Sequence, residues 1–355
     1  MKEALVDILA CPACKENLAL SSLKREGTEL LEGVLSCSCG RSFAVTRGIA
    51  HLLADTLCDA SLSSGCPSGA SPPSPVTPPP AATRQQGSRS GDCRSGKSCL
   101  VCNCYLGSAV QVELCRSCTA KLLRQGLNKK VLSGLYEALE LRAKSNTYTD
   151  YTISDQFVEW LAANRGRDAR ILEIGCGGGY LADTIRREGF ENLLASDFNA
   201  RVVETAVGRF PELQGVVMDS ALMAFAAQSL DCIVSVEMVE HLLDPEVHFD
   251  EVARVLKPNG VYLLRTPNAL AASIYYRMAG RYDMGIWHPT TFSSASLQES
   301  LHRRGFEVQH LAPRSLPKSQ QGKLPRLLKF LGSIPMHRVP LPLRPSICIV
   351  ATKHG

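Results

Sequence analysis

Long apolar runs are the feature that this 355-residue sequence most clearly lacks. No stretch approaches the roughly 18 consecutive apolar residues that a membrane-spanning helix needs, so we expect no transmembrane span. The first residues, 1–7, contain two acids and no apolar run, which predicts no secretory signal and a cytoplasmic location. Hydrophobic residues still make up 45% of the chain, enough for a sizeable buried core.

Acidic residues are absent after Glu307. Eight bases lie in this region: Arg314, Lys318, Lys323, Arg326, Lys329, Arg338, Arg344 and Lys353. Several of them surround residues 324–331, a short amphipathic piece between the last two predicted strands. We expect this basic insert, residues 314–344, to contact a membrane surface peripherally, to cover an acidic substrate or to act as a lid. A surface insert without a function is the alternative.

Cysteine, in contrast, is abundant: the chain has 15, twelve of them before residue 120. Without an export signal, clustered thiols stay reduced and indicate metal binding. Two sets of four thiolates each predict one structural zinc ion. The predicted ligands are Cys11, Cys14, Cys37 and Cys39 in the first cluster, and Cys99, Cys102, Cys115 and Cys118 in the second. The second pair of the first cluster is one residue tighter than usual, so a domain without metal is the alternative there.

Composition divides the chain into four regions. We expect a zinc-ribbon-like domain over residues 1–56 and a second Cys-rich module over residues 93–125. Between them, residues 57–92 are rich in Ser and Pro with few large apolar side chains, which predicts a disordered linker. Residues 126–355 form the predicted catalytic domain.

From about residue 150, short apolar runs alternate with amphipathic stretches. The predicted strands are 170–174, 192–196, 215–218, 230–236, 261–264, 306–310 and 347–351. The predicted helices are 178–189, 199–209, 241–256 and 294–304, and residues 127–145 also have helical periodicity. This alternation predicts an α/β fold with a doubly wound, mostly parallel sheet.

A glycine-rich loop follows the first of these strands, with the pattern E-x-G-x-G-x-G over residues 173–179. Glycines between a strand and a helix let the backbone approach a ligand closely. The dinucleotide pattern requires a third glycine where this chain has Tyr180. Glu173 precedes the loop and disfavours a pyrophosphate, whereas Asp197 ends the second strand, where a carboxylate can accept both ribose hydroxyls.

Together with later motifs, including Val255–Gly260 and Thr266–Asn268, this arrangement resembles class I S-adenosylmethionine-dependent methyltransferases over about residues 150–355. The resemblance implies a seven-stranded Rossmann-like sheet and the cofactor S-adenosyl-L-methionine. It implies a cofactor pocket of Glu173, Gly175, Cys176, Gly177, Gly179, Asp197, Phe198, Asp219, Ser220 and Glu237. The alternatives are another kind of nucleotide-binding domain and a glycine loop that serves only packing.

The fourth strand runs into Glu237, Glu240 and His241, which are the candidate catalytic residues together with His288. Ligands bind at the carboxyl ends of such strands. If the segment is helical, the first three side chains share one face, and His241 is a candidate base. Two carboxylates and imidazoles also suit a divalent cation that activates a substrate hydroxyl. Side chains that only pack are the remaining alternative.

This segment is similar to ubiquinone-biosynthesis O-methyltransferases and to small-RNA 3′-terminal 2′-O-methyltransferases. In the latter group, a histidine downstream of a T-P-N turn completes the metal site, and His288 follows Thr266–Asn268 here. The N-terminal region resembles the small zinc-ribbon domain that activates tRNA and protein methyltransferases. We therefore expect O-methylation of a small-molecule or lipid-linked acceptor; the alternatives are an RNA methyltransferase and a non-catalytic scaffold.

Overall fold

The computed structural model describes residues 1–54, 97–107, 112–142, 155–312 and 335–355. The predicted linker at residues 57–92 lies outside the described residues, and so does most of the basic insert at residues 314–344. Among the helices of the described ranges, none is both long and apolar enough to cross a lipid bilayer.

Residues 1–54 form an antiparallel sheet after a 3₁₀ helix at Glu3–Ile8. Its strands are β1 (Ala19–Glu26), β2 (Glu29–Ser36), β3 (Ser42–Thr46) and β4 (Ile49–Leu52). The two residues between β3 and β4, Arg47 and Gly48, both have positive φ angles, 51° and 75°. This geometry is that of a tight hairpin turn, which explains the abrupt reversal of the chain.

The second Cys-rich region is small and mostly helical. It contains β5 (Lys97–Ser98), β6 (Tyr105–Gly107) and α1 (Arg116–Gln125), and α2 (Lys129–Arg142) follows it. Cys115 caps α1, because its sulfur accepts a hydrogen bond from the N–H of Cys118. The cysteine pattern therefore determines where α1 begins.

The remaining residues form the predicted doubly wound sheet. Its strands are β7 (Ile171–Ile174), β8 (Leu193–Asp197), β9 (Gln214–Met218), β10 (Leu230–Val236), β11 (Leu256–Pro267), β12 (Phe306–His310) and β13 (Ser346–Lys353). Its helices are α3 (Asp155–Asn164), α4 (Tyr180–Arg187), α5 (Ala200–Arg209), α6 (Pro245–Val255), α7 (Ala269–Met278), α8 (Met284–Trp287) and α9 (Ser294–His302). The strand order is β9-β8-β7-β10-β11-β13-β12, with β13 antiparallel to both of its neighbours.

The N-terminal sheet and the seven-stranded sheet are continuous. β4 pairs in parallel with the edge strand β9, so that Ala50 lies opposite Val216 and Leu52 opposite Met218. The result is one sheet of eleven strands. One apolar core runs through both parts, from Leu9 and Phe43 to Phe225. The sequence predicts the seven strands and the preceding module. It does not predict that the two form one continuous sheet.

The strand order reverses between β7 and β10, which makes their carboxyl ends the expected ligand-binding position. One prediction near this position is wrong in detail. The helix expected at 241–256 begins only at Pro245, after a 3₁₀ turn at Val239–His241. Asp244 and Pro245 stop the turn from continuing, because Asp244 caps α6 and Pro245 takes its first position.

Candidate functional site

The glycine loop connects β7 to α4 at the switch point of the sheet. Gly175, Gly177 and Gly179 have φ angles of 77°, 49° and 78°, which residues other than glycine rarely adopt. A Cβ atom at Gly175 would lie 2.7 Å from Cγ of Met238, and one at Gly179 would lie 2.8 Å from Cβ of Ala206. A Cβ atom at Gly177 would meet nothing within 4 Å. Two glycines thus serve close packing, and Gly177 faces open space.

Glu173 lies just before this loop and is 4% exposed. The N–H of Ala182 interacts with its carboxylate, and Oε2 has no hydrogen-bond partner among the described residues. Burial raises the pKa of Glu173 to about 8, and the nearby charge of Asp197 adds to the effect. A buried carboxylate with an unpaired oxygen fits a cationic or hydrogen-bond-donating ligand.

The next two strands bring further predicted residues to the same edge. Asp197 ends β8, and its Oδ1 accepts from the N–H of Asn199 at 2.9 Å. Phe198 beside it is 40% exposed. Asp219 follows β9, where its Oδ2 pairs with Lys129 of α2. Lys129 is a contact that sequence reasoning missed, since 90 residues separate it from Asp219.

Two other predicted pocket residues are buried beside these strands. Cys176 is 5% exposed, and burial raises the pKa of its thiol well above the usual range. Ser220 is 7% exposed, and its carbonyl lies 3.2 Å from Nδ1 of His248. The second ring nitrogen of His248 lies 3.0 Å from the hydroxyl of Tyr262. The backbone after Asp219 is therefore held by a polar chain inside the core.

Glu237 differs from the other candidate catalytic residues because its carboxylate forms an ion pair with an arginine. Its φ angle is 53°, so it lies in the left-handed region at the end of β10. Its Oε1 lies 3.3 Å from Nε of Arg265, a side chain that is only 2% exposed. The condition for a helical face shared by Glu237, Glu240 and His241 is not met, because the 3₁₀ turn starts after Glu237.

Glu240, His241 and His288 converge, with potential ligand atoms all within 4.8 Å of one another. The rings of His241 and His288 lie edge to face, 4.8 Å apart. Oε2 of Glu240 accepts from the hydroxyl of Thr266 at 3.0 Å, whereas Oε1 has no partner among the described residues. Burial and the charge of Glu237 raise the pKa of Glu240 well above its usual range.

Burial lowers the pKa of both histidines, that of His288 to about 3, and both rings are therefore neutral. Nδ1 of His241 lies 2.6 Å from the carbonyl oxygen of Trp287. A carbonyl only accepts, so Nδ1 carries the hydrogen and Nε2 keeps its lone pair. Tyr136 and Tyr276 place their hydroxyls 2.6 Å from Nδ1 of His241 and 2.8 Å from Nδ1 of His288.

Sequence reasoning missed both tyrosines. Tyr136 belongs to the amphipathic pattern of α2, but nothing in that pattern indicates a contact with a histidine 105 residues away. Tyr276 lies on α7, 12 residues before His288. Arg265 was missed as well, since a base directly after a predicted strand gives no sign that it will be buried against Glu237.

The four sulfurs of each predicted zinc cluster come together. In the first cluster, Cys11 and Cys39 lie 3.8 Å apart, and Cys14 and Cys37 lie 3.3 Å apart. Four thiolates at about 2.3 Å from a tetrahedral zinc ion would be separated by roughly 3.8 Å. The tight second knuckle is accommodated by a turn at Gly40, whose φ angle is 87°. The donor set therefore fits zinc.

The second cluster has the same character. The ligand atoms of Cys99, Cys102, Cys115 and Cys118 lie within 4.8 Å of one another. Cys102 and Cys115 are 3.7 Å apart. The N–H groups of Cys115 and Cys118 point at the sulfurs of Cys99 and Cys115, at 3.3 and 3.4 Å. Such N–H donors favour thiolates, which are the form that binds metal.

Comparisons with known proteins agree with this geometry. Residues 146–311 match the family model described as a methyltransferase domain, and residues 2–48 match the model described as Trm112p-like protein. A protein of Mycolicibacterium smegmatis, named a probable S-adenosylmethionine-dependent methyltransferase, is 33% identical over 145 residues, which are 41% of this chain and 53% of that protein. A ubiquinone biosynthesis O-methyltransferase of Parvibaculum lavamentivorans is 31% identical over 128 residues, 34% of this chain and 49% of the relative. The chain thus spans about half the length of these relatives.

Two solved structures complete the comparison. One belongs to a complex that contains the Haloferax volcanii Trm112 methyltransferase activator, with 16% identity and a TM-score of 0.48 over 65% of this chain and 100% of that one. The other is the magnesium protoporphyrin IX methyltransferase of Synechocystis, with 13% identity and a TM-score of 0.45 over 64% of this chain and all of that chain. The methyltransferase-domain match over residues 146–311 and the Trm112p-like match over residues 2–48 agree with the strand order and the glycine loop of this chain.

Proposed function

We propose that this protein transfers a methyl group from S-adenosylmethionine to a hydroxyl of a small-molecule or lipid-linked acceptor. The observation that carries the proposal is the convergence of Glu240, His241 and His288 beside the glycine loop. Met238 links the two, because it lies against Gly175 and three residues before His241. A hydroxyl brought to this position meets groups able to remove its proton.

The cofactor pocket of the proposal is the edge formed by β7, β8 and β9. S-adenosylmethionine supplies a sulfonium methyl group that is open to in-line displacement. Glu173 would interact with its cationic part through the unpaired Oε2, Gly177 leaves room for it, and Asp197 would accept from the ribose hydroxyls. Asp219 and Ser220 would border the adenine, with Lys129 held nearby.

His241 is the proposed general base. Its Nδ1–H donates to the carbonyl of Trp287, and the backbone of Glu237 also interacts with the ring, so both contacts orient it. In the proposal, Nε2 takes the proton of the acceptor. His288 and Glu240 lie on the same side and position the acceptor. Removal of a general base typically slows turnover by about 10²–10⁴-fold. His241→Ala should therefore reduce turnover far more than cofactor affinity.

A divalent cation fits the same three residues. Glu240 offers an unpaired buried oxygen, and two neutral histidines offer ring nitrogens. A cation bound there would lower the pKa of a coordinated hydroxyl. Glu237 is not part of the converging group, because it pairs with Arg265, so the proposed set has three protein ligands instead of the four expected from the sequence.

The test of the base and of the cation is one experiment with two arms. Transfer of labelled methyl groups to RNA, lipid extract and protein first identifies the acceptor, and labelled RNA would favour the RNA alternative. Wild type, His241→Ala and His288→Ala are then compared with that acceptor, before and after chelation and with Mg²⁺, Mn²⁺ or Co²⁺ added back. Full turnover of both variants would contradict the base, and activity unaffected by chelation would contradict the cation.

Zinc in both four-cysteine clusters is also part of the proposal. The sulfur spacing and the N–H groups that point at the sulfurs support it. Elemental analysis of the purified protein should therefore find about two zinc ions per chain. One zinc ion that is lost on Cys99→Ser but retained on Cys11→Ser would show that the tight knuckle at Cys37 and Cys39 does not bind metal.

A further inference from the structure

The second four-cysteine cluster packs against the segment that carries His288. A separate apolar core joins the two, formed by Cys99, Leu114, Cys118, Leu132, Leu135, Met284, Ile286 and Trp287. Cys99, Leu114 and Ile286 are completely buried in it. The apolar side of α8 is therefore covered by the cysteine module.

One buried carboxylate reinforces this contact. Oδ2 of Asp283 accepts from the backbone N–H of Glu113 at 2.8 Å and from the indole N–H of Trp287 at 3.0 Å. Asp283 has no exposed surface. Next to it, the guanidinium of Arg116 lies 4.5 Å from the ring centre of Tyr282. The module thus holds Trp287 by polar as well as apolar contacts.

Directly after this module, α2 reaches the proposed catalytic histidine. The hydroxyl of Tyr136 lies 2.6 Å from Nδ1 of His241 and donates to the carbonyl of Trp287 at 3.1 Å. Its ring meets those of His241 and Trp287 edge to face, at 5.5 and 5.3 Å between centres. Trp287 in turn immediately precedes His288. The contacts form an unbroken path from the cysteines to both histidines.

Apart from its packing against α8, the described part of the module has little regular sheet structure to stabilise it. Its strands, β5 and β6, have two and three residues, far short of an independently stable sheet. In such small modules a four-thiolate metal site supplies the folding free energy, and the apo form is unfolded. Loss of the metal should therefore release Trp287 and Tyr136 together.

We propose that metal binding at the second four-cysteine cluster sets the positions of Trp287 and Tyr136 and thereby orients His241 and His288, with Tyr136 as a positioning residue. The part that concerns the histidines rests on the proposed function. The cluster acts on the acceptor side of the site. On the cofactor side, Lys129 of α2 forms an ion pair with Asp219, and the lysine side chain is 55% exposed.

The test uses the full chain and the fluorescence of Trp287. The protein has two tryptophans, so Trp160→Phe leaves Trp287 as the only reporter. In that background, Cys102→Ser/Cys104→Ser removes an exposed ligand of the second cluster and the exposed cysteine near it. The matched control is Cys14→Ser/Cys39→Ser, which removes two exposed ligands of the first cluster.

Each double variant should lose one metal ion per chain. Only the second-cluster variant should shift the emission of Trp287 to longer wavelength and increase its quenching by iodide. Its affinity for S-adenosylmethionine should change by at most about fivefold, since the pair with Asp219 is formed by a half-exposed lysine. Unchanged emission, an equal shift in the control, or absence of metal from the second cluster of the parent protein would overturn the proposal. Failure of the parent to bind S-adenosylmethionine would instead contradict the proposed function.

Tyr136→Phe tests the last step, with the exposed Tyr105→Phe as its control. The substitution keeps the ring and removes the hydroxyl, so metal content and Trp287 emission should not change. The ring ¹⁵N signals of His241, assigned with His241→Ala, should shift, and turnover should fall by about 10–100-fold, as is typical when a residue that orients a ligand is lost. Identical ¹⁵N signals and turnover would exclude Tyr136 as a positioning residue.

Discussion

At the scale of single residues, the ionised carboxyl of Glu173 would favour ligand binding but lowers the stability of the ligand-free protein. Its carboxyl is buried, one oxygen is unpaired, and its pKa is raised to about 8. The native state therefore binds this proton more tightly than the unfolded chain, in which the pKa is about 4.3. It follows that the free energy of unfolding of the ligand-free protein decreases as pH rises between these two values.

Glu173→Gln should raise the stability of the ligand-free protein and lower its affinity for the cofactor. Without a charge to bury, the variant should be more stable than wild type at pH 8, and the difference should vanish near pH 4. Its affinity for S-adenosylmethionine should fall about tenfold or more, because a hydrogen bond to a charged group contributes roughly 1.5–3 kcal/mol. Urea unfolding at several pH values and calorimetric titration measure the two effects. The exposed Glu188→Gln is the control, and a loss of stability at pH 8 in Glu173→Gln would contradict the argument.

At the scale of elements, the glycine loop separates packing from ligand space. Gly179 is pressed against Ala206 of α5, whereas Gly177 borders open space. Both have positive φ angles, so a side chain at either position incurs a backbone cost of about 1–2 kcal/mol. Only at Gly179 is an overpacking cost of roughly 1–3 kcal/mol added.

Two substitutions distinguish these roles. Gly179→Ala should destabilise the protein more than Gly177→Ala, as measured by urea unfolding without ligand. Gly177→Ala should lower the affinity for S-adenosylmethionine in a protein that remains folded, because its methyl group enters the space proposed for the cofactor. Equal destabilisation together with unchanged affinity for both variants would show that the loop serves helix packing alone.

At the scale of the whole molecule, the N-terminal domain completes the sheet instead of standing beside it. Parallel pairing of β4 with β9 covers what would otherwise be an edge strand. The contact is reinforced by hydrogen bonds between Ala10 and Ala224, at 3.0 Å, and between Ala226 and Ile8, at 2.9 Å. An ion pair of Lys15 with Glu251, at 2.8 Å, lies next to the first cysteine cluster.

A continuous core predicts that the N-terminal and methyltransferase domains unfold together. Calorimetry should show one transition for both, and Cys14→Ser/Cys39→Ser should lower its temperature as a whole, because the first cluster holds the domain that covers β9. Two separate transitions, with only the first affected by the substitutions, would show that the two sheets are independent.

The sequence alone was enough to predict the alternation of strands and helices, the glycine loop and the eight clustered cysteines. These features depend on local periodicity and on residue types at short spacing, and both can be read from the sequence without knowing how distant elements pack. The order Glu173, Asp197, Asp219 and Glu237 followed from the strand ends, since parallel strands bring their carboxyl ends to one edge.

Only the tertiary structure decided which of these residues lie together. It separates Glu237 from Glu240 by a backbone turn and pairs it with Arg265. It brings Tyr136 to His241 across 105 residues, and it joins β4 to β9 across more than 160. Such contacts depend on how whole elements pack, and packing between distant elements leaves no periodic signal in the chain. For that reason the residues proposed for the cofactor side lie in sequence motifs, whereas the convergence of residues on the proposed acceptor side is visible only in the fold.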